Sequence, residues 1–95
     1  MSYKFDGKRF KYRGKTLANV SGDRIREGTG GKTLANIKGD RVREGTGGKT
    51  LLNVKGRDIR EGTGSRRIAK MDDIDKMIDG PGGITKAALW YLFIK

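Results

Sequence analysis

Residues Gly14–Gly30 read GKTLANVSGDRIREGTG, Gly31–Gly47 read GKTLANIKGDRVREGTG, and Gly48–Gly64 read GKTLLNVKGRDIREGTG. A unit this short cannot bury its own apolar residues, so the copies must stack and share a core. Read at period two, Ala18 and Val20 fall on one face of a short strand and Leu17 and Asn19 on the other. Ser21-Gly22-Asp23-Arg24 follows, with glycine at the first central position of a two-residue II′ hairpin loop. That register sets Val20 opposite Ile25 and Asn19 opposite Arg26. It repeats as Ile37 opposite Val42 and Val54 opposite Ile59. The third copy exchanges Asp-Arg for Arg57-Asp58 yet keeps Gly56, so the turn depends on the glycine. Gly28-Thr29-Gly30-Gly31 and its equivalents then return the chain into the next first strand, glycine supplying the positive φ that such a connection needs.

The repeats predict an all-β chain: an antiparallel meander of hairpins closed into a pseudo-symmetric propeller- or barrel-like array. One domain is expected, with clean repeats at 14–30, 31–47 and 48–64. Residues 1–13 form a degenerate hairpin, because Lys4–Lys11 aligns with Asn19–Arg26 and puts Phe5 and Phe10 in the core positions. Residues 65–82 form a degenerate fourth repeat, with Ser65–Met71 aligning with Gly48–Val54. Within it, Met71–Ile78 is read as the second hairpin, although Met71, Ile74 and Ile78 also fit helical spacing. Residues 83–95 are an apolar closing segment. Trp90-Tyr91-Leu92-Phe93-Ile94 is strand-like in composition, while Lys86-Ala87-Ala88-Leu89 suits a helix.

The Ala-x-Val/Ile-x-Gly-Asp-x-Ile/Val hairpin core and the Gly-Thr-Gly-Gly connection, over roughly residues 3–89, resemble the small bacterial repeat proteins described as four-fold β-flower proteins. The resemblance implies a pseudo-four-fold arrangement of β-hairpins. It brings no assigned activity.

With 95 residues, 34% of them hydrophobic, the chain supports only a modest core. It has neither cysteine nor histidine. No disulfide framework, Ser-His-Asp set or Cys-His set is available, and the commonest metal ligands are missing. Gly47-Gly48-Lys49-Thr50 ends like a phosphate-binding loop, but Arg43 stands where that motif needs glycine, and a strand is expected where a helix should follow. The four aspartates within Asp72–Asp79 have no apolar pocket to tune them. The expectation is a protein that is not an enzyme and uses no cofactor or metal. The longest apolar stretch, Ala87–Ile94, falls far short of the roughly 20 residues of a membrane span, so a cytoplasmic location is expected.

Two features point outward. The first is a formal net charge of +11. Lys8, Arg9, Lys11, Arg13, Arg24, Arg26, Arg41, Arg43 and Arg60 are the candidate polyanion contacts, because repetition turns single charges into rows. Tyr3, Phe5, Phe10 and Tyr12 are interleaved with the first of them, a pattern usable for base stacking, although Phe5 and Phe10 also occupy core-equivalent positions. The second feature is the tail. Trp90, Tyr91, Leu92, Phe93 and Ile94 form the candidate oligomer interface, since a strand sends only half of them into its own core. Glu27, Glu44 and Glu61 share one repeat position on the apolar face and are expected at the rim, where pairing has ended.

The leading expectation is a non-catalytic interaction or scaffold protein that associates with itself through the tail and presents its repeats to an unidentified protein or ligand. A basic polyanion- or nucleic-acid-binding module is the alternative.

Overall fold

The computed structural model describes residues 3–81 and 83–95; the boundaries set above at residues 1 and 82 fall outside that description. The strands are β1 (Tyr3–Phe5), β2 (Arg9–Tyr12), β3 (Lys15–Ser21), β4 (Arg24–Glu27), β5 (Thr33–Lys38), β6 (Arg41–Glu44), β7 (Thr50–Lys55), β8 (Asp58–Glu61), β9 (Arg67–Lys70) and β10 (Ile78–Asp79). They form one sheet in the order β10-β1-β2-β3-β4-β5-β6-β7-β8-β9. From β1 to β9 it is the antiparallel meander that the repeat dictates. Val20 pairs with Ile25, Ile37 with Val42 and Val54 with Ile59, and Phe5 pairs with Phe10 in the first hairpin. Gly22, Gly39 and Gly56 each sit at φ 62, and the residues after them keep negative φ, as the II′ turn requires.

Curvature comes from a device that alternation alone does not reveal. Between repeats Ile25 pairs with Ala35, but Arg26 pairs with Thr33, leaving Leu34 as an extra residue. The same offset recurs at Leu17, Leu51 and Ile68. Each bulge bends its strand and adds right-handed twist, so a bulge in every repeat curls the sheet consistently. Asn19, Asn36 and Asn53 hold the glycine-rich connections over the other face. Each Nδ2 donates to two loop carbonyls, for Asn36 those of Gly45 at 2.8 Å and Gly47 at 3.2 Å.

The fourth repeat departs from the expectation. Met71–Met77 is a helix, α1, and not a second hairpin. Asp73 stands where the repeats carry the turn glycine, so the II′ geometry is lost. Met71 and Ile74 instead bury one face of the helix, and Ile78, the first residue of β10, is buried after it. Asp72 and Asp73 lie in the first turn, where carboxylates favour the helix dipole. Arg57 donates to Asp72 and, at 2.9 Å, to Asp75. The chain then enters β10, which pairs in parallel with β1 through Tyr3 with Ile78 and Lys4 with Asp79. The strand that returns to the N-terminal hairpin is therefore Ile78–Asp79 and not the tail. The sheet stays open, with β9 and β10 as its edges and α1, roughly 10 Å of helix, joining them in sequence.

The tail is also a helix, α2 (Ile84–Phe93). Lys86, Ala87, Ala88, Leu89 and Trp90 are all buried, which is more than one turn of consecutive residues, so every side of the helix is covered. It lies in the concavity of the sheet against β5, β6 and β7, where Phe10, Ala18, Ile25, Ala35, Val42, Leu52 and Ile59 are fully buried. Small side chains on both partners, Ala18 and Ala35 on the sheet and Ala87 and Ala88 on the helix, leave room for this approach. Trp90–Ile94 suggested a strand because five consecutive apolar residues show no helical period; Trp90 is buried and the other four pack half-buried against the core.

Candidate polyanion-binding face

Because the inner face is filled by α2, the chemistry available to a partner lies on the convex face. The register places Arg24 and Arg26 on that face, opposite Ser21 and Asn19. Arg41 and Arg43 repeat the placement opposite Lys38 and Asn36, and Arg60 follows opposite Asn53. Arg9, opposite Asn19, and Lys11, opposite Lys4, extend the row to the first hairpin. Seven of the nine basic candidates thus share one surface. Lys8 and Arg13 do not: Lys8 lies in the β1–β2 turn, and Arg13 lies in the β2–β3 turn with its guanidinium 5.4 Å from the Tyr12 ring centre.

The same face gains Lys4, Lys38, Lys55, Arg67 and Lys70, which were not singled out in sequence. For Lys38 and Lys55 the signal was present, because the hairpin register already set them opposite Arg41 and Asp58. The carboxylates go elsewhere. Among the described residues the strand carboxylates on the convex side are Asp58, whose Oδ1 lies 3.6 Å from Arg67 Nη1, and Asp79, beside Lys4. Asp23 and Asp40 sit in turns, Asp72, Asp73 and Asp75 lie on α1, and Glu27, Glu44 and Glu61 are exposed at strand ends on the opposite register. Near-periodic sequence therefore folds into a surface sorted by sign.

At one end of this face a groove of about 440 Å³ is lined by Lys4, Arg9 and Lys11 together with Phe5, Asp6, Asp79 and Gly80. Asp6 is fixed in its turn, its Oδ1 accepting from the backbone N–H of Arg9 at 2.7 Å and of Lys8 at 2.9 Å. Those bonds hold its carboxyl below the usual carboxylate range. Arg26 and Arg43 differ from the exposed Arg24 and Arg41. They are half-buried, and each has a buried Nε without a hydrogen-bond partner.

Apart from Phe5, which is buried but borders the groove, the N-terminal aromatic residues lie on the other side of the sheet. Tyr3 stacks on Phe10 and on Tyr12, with ring centres 5.4 and 4.4 Å apart. Phe10 meets Phe93 at 5.5 Å. Of the aromatic residues read between the N-terminal basic residues, Phe5 and Phe10 are thus buried, and Tyr3 and Tyr12 are half-buried on the same side of the sheet. Of the candidate interface residues, Trp90 is only 8% exposed, while Tyr91, Leu92, Phe93 and Ile94 are half-buried and pack against the core. The Gly47-Gly48-Lys49-Thr50 segment leads into strand β7, not into the helix that a phosphate-binding loop opens.

One ion pair belongs to the architecture. Lys86 is 3% exposed, and its Nζ donates to Asp75 Oδ1 at 3.0 Å and to the Gly80 carbonyl at 3.1 Å, tying α2 to α1. Lys86 first and Arg57 second hold the Asp75 carboxyl below its usual range. A pKa that is lower folded than unfolded contributes stability above about pH 4, and that contribution is lost as pH falls through the folded value. Asp75→Asn should lower the urea midpoint at neutral pH, because Lys86 keeps its charge without a counter-charge. The gap from wild type should close in acid, which urea titrations from about pH 7 to about pH 2 will show.

No family model, characterised protein or solved structure matches this chain.

Proposed function

We propose that this chain is a non-catalytic polyanion-binding module whose contact surface is the convex face of the sheet. The observation that carries the reading is the sorting of charge. Arg9, Lys11, Arg24, Arg26, Arg41, Arg43 and Arg60 share that face, while nearly all the carboxylates lie in turns, at strand ends or on α1. Rows of like charge on a rigid sheet repel one another, and a bound polyanion relieves that cost while releasing its own counterions. Among the described residues, Arg24, Arg26, Arg41, Arg43 and Arg60 form no ion pair, so their charges are not neutralised within the chain.

Self-association through the tail is the second reading, and the half-buried Tyr91, Leu92, Phe93 and Ile94 favour it. It ranks lower because Trp90 and the helix that carries it already fill the chain's own core.

A salt series separates the two. With four phosphates neutralised, log K against log salt should have a slope of about −2.8 on a single strand, so affinity should fall roughly fiftyfold between 50 and 200 mM salt. Anisotropy of labelled oligonucleotides and of heparin measures it. Binding to no polyanion at 50 mM salt, or binding that ignores salt, would remove this function.

A further inference from the structure

We infer that the polyanion is a flexible, single-stranded phosphodiester chain laid along the convex face, with Arg26 and Arg43 as its fixed anchors and without stacking of its bases. This rests on the polyanion reading above and narrows it. Three observations lead to it.

The first is shape. The face is convex, because the sheet curls around α2 through a bulge in every repeat. A duplex is stiff over about 150 base pairs. It touches a convex surface along a short line and must be bent to reach successive rows. A single strand follows the curve at little cost. From β2 to β8 the basic rows cover six strand spacings, roughly 29 Å along the curve.

The second is where the aromatic rings are. Proteins that hold single strands through their bases present aromatic faces to them. Here Tyr3 stacks on Phe10 and Tyr12 and Phe10 meets Phe93 at a tilt, on the core side of the sheet, and Phe5 and Trp90 are buried. The convex face offers guanidinium and ammonium groups, so recognition must be by phosphate and indifferent to base identity.

The third distinguishes among the arginines. Arg26 and Arg43 are half-buried with Nε shielded from water and unpartnered, whereas Arg24 and Arg41 are exposed. A side chain already held in place loses less freedom when its terminal nitrogens bind an oxyanion, and a guanidinium fork matches two phosphate oxygens. Arg26 and Arg43 also lie one repeat apart, two strand spacings or roughly 10 Å, so one strand can bridge them.

The test uses the wild-type chain with labelled dT20, dA20, a duplex of about 10 base pairs that carries about the same number of phosphates, and heparin, at 50 mM salt. The inference expects dT20 and dA20 to agree within about twofold, and the duplex and heparin to bind at least fivefold more weakly. It also expects Arg26→Gln/Arg43→Gln to cost at least tenfold on dT20, against no more than about threefold for Arg24→Gln/Arg41→Gln, which removes the same charge. The first pair should fold, because each lost Nε had no partner; unchanged Trp90 emission verifies this. Should that pair fail to fold, the four-ligand comparison on wild type still decides. A duplex or heparin bound as tightly as dT20, dT20 and dA20 differing severalfold, or equal losses from the two variants would overturn this inference and leave the polyanion reading standing. Binding to none of the four ligands would overturn both.

Discussion

Gly80→Ala should abolish or nearly abolish the native fold, at a cost of at least about 3 kcal/mol. A Cβ on Gly80 would lie 1.7 Å from the Phe5 carbonyl oxygen, and its φ of 128 is one that side-chain-bearing residues rarely adopt. The oxygen belongs to backbone and a Cβ is fixed by its own, so no rotamer change relieves the overlap. Gly80 follows β10 directly, at the point where the chain turns from its parallel pairing with β1 towards α2. Its carbonyl also accepts the Lys86 ammonium. Displacing it therefore loosens the β10–β1 pairing and the entry of α2 together. Gly22→Ala is the matched control. Nothing lies within 4 Å of its added Cβ, so only the positive φ of 62 is penalised, about 1 kcal/mol. Chemical denaturation of both variants measures the difference, and a Gly80→Ala variant as stable as Gly22→Ala would refute this account of how the chain returns to its first hairpin.

The second large effect concerns α2. Leu89 is fully buried in the middle of the helix, with the sheet wrapped around it. Leu89→Ala should cost about 2–5 kcal/mol, the range for deleting a buried leucine whose surroundings relax only in part. A domain of this size has only about 5–15 kcal/mol to lose. If the tail were a peripheral strand, the same change would cost far less, within about 1 kcal/mol. Urea unfolding followed by circular dichroism, with the denaturant dependence held constant, provides the comparison.

These two sites also mark where the sequence is legible. The hairpins could be read because each residue's role is local: a glycine at the turn, an apolar pair on either side of it, and a register that follows from turn length. Phe5 with Phe10 obeyed the same rule even in a degraded copy. The bulges at Leu17, Leu34, Leu51 and Ile68 escaped because they arise between repeats, where the glycine-rich connection and not a tight turn sets the offset. Curling was expected from the repeat, but as closure of the array on itself, and the open concavity that something must fill was not. That is why α2 looked like a surplus of apolar surface requiring a second copy. α1 was a choice between two periods, and the loss of glycine at Asp73 was the informative residue.

The candidate face was legible in part. Arg24 and Arg26 stood out because they recur, and their side of the sheet followed from the hairpin register. Two things could not be read from spacing. One was that Asp72, Asp73 and Asp75 would lie on a helix, α1, whereas the turn position of Asp23 and Asp40 and the rim position of Glu27, Glu44 and Glu61 followed from the repeat. The other was that Arg26 and Arg43 would be half-buried while Arg24 and Arg41 stayed exposed, since side-chain burial depends on loops folded over the face from elsewhere.

The claim beneath both the fold and the function is that each chain buries its own tail in the concavity of its own sheet, so that the convex face is the one left for a partner. Trp90 is the single tryptophan of the sequence, so acrylamide quenching of its fluorescence reports the tail alone. Measured from about 0.1 to 100 μM protein, the account predicts a blue-shifted emission and slow quenching that do not change with concentration, because the 8% exposure of Trp90 is a property of one chain. Rapid quenching at the lowest concentration that gives way to protection as the protein associates would show that the tail is buried by a second copy, and would contradict it.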